Sequence, residues 1–186
     1  ETTLRKLAKS VRFESAVTDF RVERIPGELQ LSLSTLTGSN LVGPMTVRAK
    51  SKDVRLTDVV DSIDLDINSG DVEIRQSRMP IGKVDVKVGT GSIELALPKQ
   101  ALFNITGATR RGEINNDFDN RLKHTEEDRG ARISGTLGAG PDIKLNTSRG
   151  ELTIRKMAPA EAVVAEAPDA PKPPKTPPPP PRADNQ

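Results

Sequence analysis

Four segments of this chain share one pattern of glycine, polar, apolar, polar, apolar: NSGDVEIR (68–75), GTGSIELAL (89–97), TRRGEINN (109–116) and TSRGELTIR (147–155). Gly70, Gly91 and Gly112 recur at intervals of 21 residues. IPGELQLSL (25–33) places Gly27 about two periods before Gly70, and SKDVRL (51–56) fills the period between, with Lys52 in the glycine slot. A fixed period of about 20 residues is the signature of units that stack, because each unit is too small to bury its own apolar face. Gly112 and Gly150 are nearly two periods apart, and the polar stretch 117–140 between them reads as one distorted rung with an inserted loop.

Within each unit the alternation has period two, so the units are built of short strands, and the glycine marks a corner where φ is free to be positive. A second strand precedes each corner: DFRVERI (19–25), MTVRA (45–49), SIDLDIN (62–68), KVDVKV (83–88), LFNIT (102–106) and DIKLN (142–146). Aligned on the corners, the inward column after the corner is Leu29, Leu31, Val54, Leu56, Val72, Ile74, Ile93, Leu95, Ile114, Leu152 and Ile154. The column before it is Phe20, Val22, Val47, Ile63, Leu65, Val84, Val86, Phe103, Ile105, Ile143 and Leu145. The same register predicts an outward ladder of Glu23, Arg48, Asp66 and Lys87 with alternating sign.

The expected fold is therefore all-β: a single-stranded parallel β-helix, right-handed, of about seven roughly 20-residue rungs. An antiparallel sandwich also uses short alternating strands, but it does not predict a fixed-period corner, and Asn-Gly and Asp-Gly hairpin turns are absent. Residues 1–11 are expected as an N-terminal cap or linker, the basic stretch ETTLRKLAKSVRFE closing one end as a short helix, and 12–157 as the domain. From Ala158 the composition changes: ten of the fifteen prolines fall between Pro159 and Pro181, which makes 158–186 a disordered, polyproline-type tail. A linker or solvated end is the expected role of that tail, ahead of a ligand for a proline-recognising domain.

Composition narrows the chemistry. Lys and Arg number 28 against 26 Asp and Glu, a mixed surface without the broad positive field a polyanion needs. Trp and Tyr are missing and Phe13, Phe20, Phe103 and Phe118 are the only aromatic residues of those three types, so nucleic acid is not expected as a partner. The absence of cysteine excludes disulfides, zinc-thiolate sites and thiol catalysis. No apolar run is long enough to span a bilayer as a helix. The chain starts at Glu1 without a leader, so a signal peptide or membrane anchor, if there is one, is expected upstream.

The order of the motifs carries a resemblance. Leu97-Pro98 ends a strand, Phe103-Asn104-Ile105 alternates, Arg111-Gly112 makes a corner, and a Gly-rich segment leads to Thr147-Ser148-Arg149-Gly150. Over roughly residues 12–156 the chain resembles the bacterial putative-adhesin, or toastrack-type (DUF4097-like), β-helix domain family, and Lys52 departs from its glycine corners. The resemblance implies a bacterial domain tied to the cell envelope, and it supplies no catalytic residue.

Candidate sites are few. The acids after the corners, Glu28, Asp53, Asp71, Glu113 and Glu151, with Ser92 interrupting, form a column that Ca²⁺ could use. Acids beside turns more commonly accept backbone N–H bonds, and no calcium-loop motif is present, so no metal or cofactor is expected. Asp64 and Asp85 should be neighbours on an outward face, where paired carboxylates would suit glycoside chemistry. That chemistry wants a cleft with aromatic stacking, and a solvated face explains the pair equally. A binding insert is the expected functional element, because it breaks the repeat: Arg121, His124 and Arg129, with Glu126, Glu127 and Asp128 close by, and Arg110 and Arg111 at the adjoining corner.

The expectation is a non-catalytic binding or structural module of the bacterial cell envelope, not an enzyme, and monomeric. Its partner would be a surface polysaccharide or an envelope protein. It would sit outside the cytoplasm, in the periplasm or at the cell surface, or be membrane-associated through a segment outside this chain. The alternatives are the extracytoplasmic part of an envelope-stress or membrane-associated signalling protein, and a carbohydrate-active β-helix enzyme using Asp64 and Asp85.

Overall fold

Alternating apolar residues turn one face of every strand inward, and the chain uses this by passing back and forth between two sheets that enclose one core. The computed structural model describes residues 2–118 and 121–157, so the proline-rich tail expected over 158–186 lies outside the described residues. Those residues form strands and no helix. Both sheets are mixed, one of eight strands and one of nine.

The parallel part is built of units in which a strand of the nine-stranded sheet runs into one of the eight-stranded sheet. These are β6 (Met45–Ser51) with β7 (Asp53–Val60), β8 (Ile63–Ser69) with β9 (Val72–Arg75), and β10 (Val84–Thr90) with β11 (Ile93–Pro98). Two more are β12 (Asn104–Thr109) with β13 (Ile114–Asn116), and β16 (Asp142–Arg149) with β17 (Leu152–Met157). Like residues stack on like: Val54, Val72 and Ile93 in register with Leu152 and Ile114 in one sheet, and Met45, Ile63 and Val84 with Ile143 and Ile105 in the other. All twenty-two residues of the two inward columns are buried, none more than 9% exposed. Each such aliphatic or aromatic side chain contributes about 1.5–3 kcal/mol by leaving water.

The corners follow the expected chemistry. Gly70, Gly91, Gly112 and Gly150 have φ between +137° and +140°, and a Cβ on any of them would lie 2.1–2.2 Å from the carbonyl oxygen of the corner stacked on it. Those contacts also give the order of the column, Lys52, Gly70, Gly91, Gly150, Gly112. The last unit in sequence is thus inserted between the third and fourth: β17 pairs with β11 and β13, and β16 with β10 and β12. Buried threonines secure it. Thr147 Oγ1 donates to Gly91 O (3.1 Å) and Thr109 Oγ1 to Gly150 O (3.0 Å).

Four expectations are corrected. The 117–140 stretch is not a looped rung. It holds an antiparallel hairpin, β14 (Lys123–Glu127) with β15 (Gly130–Thr136), and β15 pairs with β12 to extend the nine-stranded sheet. The N-terminal segment is a strand, β1 (Thr2–Leu7), antiparallel to β4 (Ile25–Leu31), rather than a helix. Gly27 lies inside β4, which is antiparallel to β5 (Thr35–Val42), and so is no corner. Finally β3 (Thr18–Val22) is antiparallel to both β2 (Val11–Glu14) and β6, which puts Asp19 opposite Arg48 where Glu23 was expected. For Gly27 the physical reason is the turn after β4, which reverses the chain into β5. Ser32 and Thr35 bond through N–H, hydroxyl and carbonyl groups (2.6–3.3 Å), and Lys52 Nζ donates to Ser32 O (2.7 Å) and Leu33 O (3.1 Å). A reversal made this way needs no Asn-Gly pair.

Candidate functional site

Counting strands along the two sheets shows where the molecule is unfinished. Among the described residues the eight-stranded sheet stops at β13, whereas β12, the partner of β13 in the same unit, is followed by β15 and then β14. The hairpin overhangs β13 by two strands. Gly130 permits this close approach, since a Cβ there would meet Thr109 O at 2.2 Å.

Beneath the overhang is a groove of about 570 Å³, lined by Gly112 to Asn116 on one side and by His124 and Glu126 to Ala131 on the other. Cross-strand partners share a face, and His124 is opposite Ile133 while Glu126 is opposite Ala131. Ile133 and Ala131 are buried, so His124 and Glu126 continue the inward face one strand further, as polar, exposed groups. The lining carries four carboxylates, Glu113, Glu126, Glu127 and Asp128, against the guanidinium of Arg129. Glu127 also pairs with Arg132 at 2.7 Å, and Arg129 O accepts the Gly112 N–H at 3.2 Å, tying the hairpin turn to the corner.

The edge itself is well ordered by side chains. Asn115 Nδ2 donates to Glu151 Oε1 (2.5 Å), which also accepts from Thr153 Oγ1 (2.9 Å). The Thr153 and Asn115 hydrogen bonds, and the charge of Arg155, hold the Glu151 carboxyl below its ordinary range. Asn116 Oδ1 caps the Phe118 N–H at 2.9 Å, and Phe118 packs edge-on against Phe103 with ring centroids 5.2 Å apart.

Of the residues expected at the insert, the structure brings His124 and Arg129 together in this groove. Arg110 and Arg111 are exposed at the neighbouring corner and do not line it. Arg121 borders a different cavity of about 350 Å³ with Lys99, Leu102, Phe118 and Lys156. What the arginine-centred reading missed is the sign of the groove and the open edge of β13. The acid run Glu126-Glu127-Asp128 signals the first; nothing in the sequence signals the second, which depends on the order of the units.

The other candidates resolve differently. Asp64 and Asp85 are paired neighbours on β8 and β10. They lie on the outer face, where Arg48 bridges Asp64 and Asp66 at 3.3 Å each and Lys144 is opposite Asp85. In the acidic column, Asp53 Oδ1 accepts the Asp71 N–H (3.0 Å) and Asp71 Oδ1 accepts the Ser92 N–H (2.8 Å), so each carboxylate caps the backbone of the next unit. Glu28 belongs to the antiparallel part, opposite Ser39, and binds Arg5 at 2.9 Å. Among the described residues no three His, Asp or Glu side chains are grouped to hold a metal ion. None of the described elements is a helix long and apolar enough to cross a membrane.

The family model for Toastrack DUF4097 matches residues 8–155. No curated protein sequence matches the chain significantly. Among solved structures, one described as a "putative cell adhesion protein" from Clostridium sporogenes is similar at 13% identity with a TM-score of 0.40. The match covers 69% of this chain and spans 65% of the length of that one.

Proposed function

This chain belongs to the Toastrack DUF4097 family, and from that membership together with the arrangement of its surface charges we propose that it is a non-catalytic binding module of the bacterial cell envelope. Its parallel part is read as a right-handed β-helix, the hand that strand crossovers almost always take. The observation that carries the proposal is how the outward charges are used. Arg48 serves Asp64 and Asp66, Glu73 serves Arg55 and Arg75, and Glu94 serves Arg155, along the strands and between neighbouring strands of exposed faces. Such pairs are worth little in stability, typically under about 1 kcal/mol each. They do give the faces a fixed, regular pattern of charge, which suits recognition of an extended polymer or a partner protein.

A carbohydrate-active enzyme would need Asp64 and Asp85 to work on a substrate bound across that face. The test is to incubate the full chain with bacterial surface polysaccharides, measuring retention and new reducing ends in the same samples. Retention of one glycan class without new ends supports the binding module. New ends that disappear in Asp64→Asn would overturn it in favour of the enzyme.

A further inference from the structure

We propose that the groove beside β13 takes an extended, cationic segment of another protein, which adds as a strand to the open edge of β13. This rests on the binding-module reading and names its partner class and site. In a parallel ladder the N–H and C=O of one residue point the same way and those of the next point oppositely. Leu152 N–H donates to Glu113 O (3.0 Å) and Asp117 N–H to Ile154 O (2.9 Å), so residues 113, 115 and 117 address β17. The backbone groups of Ile114 and Asn116 therefore face the groove, where no strand of the described residues fills the room that the two-strand overhang of β15 and β14 leaves. The Gly112 N–H is already taken by Arg129 O, so the open edge is that of Ile114 to Asn116, and at about 3.3 Å per residue it pairs with roughly three residues of a longer segment.

Charge selects the occupant. An incoming strand meets His124 and Glu126 on the face that continues the core, and Glu113, Glu127 and Asp128 around it, with Arg129 the opposing charge in the lining. Glu127 already pairs with Arg132, and lysine or arginine at alternate positions would satisfy Glu113, Glu126 and Asp128, which an acidic or purely apolar strand would not. The polar lining also explains why this edge does not invite indiscriminate pairing, since charge on an edge strand is a deterrent to neutral β-aggregation.

The experiment uses the full chain and a fluorescent heptapeptide of alternating lysine and valine, read by anisotropy in moderate and in high salt. Two companion peptides carry glutamate for lysine, or methyl groups on alternate backbone nitrogens. The expected result is binding of the lysine peptide, at least tenfold loss on backbone methylation, no binding of the glutamate peptide, and at least fivefold loss in the doubly substituted Glu113→Gln, Glu126→Gln chain. That variant should keep the wild-type urea midpoint. Equal binding of the methylated peptide would overturn strand addition, and equal binding by the substituted chain would overturn the site. Concentration-dependent self-association abolished by the same substitutions would overturn the choice of partner, giving the groove to the basic β1 of a second copy. If the peptides fail while the chain still retains a surface polysaccharide, this inference falls and the binding-module reading stands.

Discussion

Replacing Gly91 by alanine puts a methyl group where the stack has no room. Its Cβ would lie 2.1 Å from Gly70 O and 2.7 Å from Gly70 C, both backbone atoms, at a φ of +137°. Reaching an ordinary contact of 3.4 Å means parting the two corners by roughly 1.3 Å, over a quarter of the ~4.8 Å strand spacing. The backbone conformation alone costs an L-residue about 1–3 kcal/mol. Separation also stretches the bonds of Gly70 N–H to Thr90 O (3.0 Å) and Val72 N–H to Ser92 O (2.9 Å), and each buried backbone group left unpaired costs about 1–3 kcal/mol. A total of about 3–5 kcal/mol is a large part of the ~5–15 kcal/mol that holds a domain folded. Thermal unfolding followed by circular dichroism should show Tm falling by about 10 °C, at roughly 2–4 °C per kcal/mol for a domain of this size. Gly38→Ala is the comparison, because the three atoms nearest its Cβ would be methyl ends, of Leu41 (2.7 Å), Leu29 (3.1 Å) and Leu56 (3.1 Å), at a φ that is not positive. Flexible side chains yield more cheaply than backbone, so Gly38→Ala should cost less, about 1–2 kcal/mol. If Gly91→Ala changes stability by under ~0.5 kcal/mol, or less than Gly38→Ala does, the steric account of the corners is wrong.

The order of the units can be read by crosslinking, since the chain has no cysteine. Glu94→Cys with Thr153→Cys, outward and in register on β11 and β17, should oxidise to an intramolecular disulfide, whereas Glu94→Cys with Asn115→Cys, two strands apart, should not. Mass spectrometry showing the reverse would restore the order of the sequence. Thr147→Val keeps the shape of a buried side chain but strips Gly91 O of its donor, and should cost about 1–3 kcal/mol in urea unfolding, where no change would remove that bond from the account. Burial lowers the pKa of Lys52 below its unfolded value of about 10.4. Between those two values the unfolded chain holds the extra proton, so stability should rise with pH in that window and level off above it. Urea midpoints at pH 8 and pH 10 should show that rise in the wild type and not in Lys52→Met; equal slopes would contradict it.

The contrast between what was legible in the sequence and what was not follows from which interactions are local. The inward columns could be read because alternation sets the facing of a side chain whatever strand it pairs with, and Leu65 and Ile74 would be buried beside a parallel or an antiparallel neighbour, whereas Leu36, Leu41 and Ile133, on strands not read from the sequence, were missed. Pairing partners are a different matter. Gly112 and Gly150 present the same corner to Gly91, and Thr109 and Thr147 stand at the same offset before their glycines, so neither motif says which unit follows the third. The hairpin escaped notice for a complementary reason: every residue of β14 is exposed, so Lys123 to Glu127 lack the apolar alternation by which a strand is recognised. These two illegible features together make the candidate site. Inserting β16 and β17 early moves β13 to the end of its sheet, and the uncharacteristic strand β14 extends the other sheet past it. A groove formed by a difference in strand count between two sheets has no sequence motif, and its acidic lining becomes meaningful only once Glu113 and the 126–128 run are found on opposite walls of it.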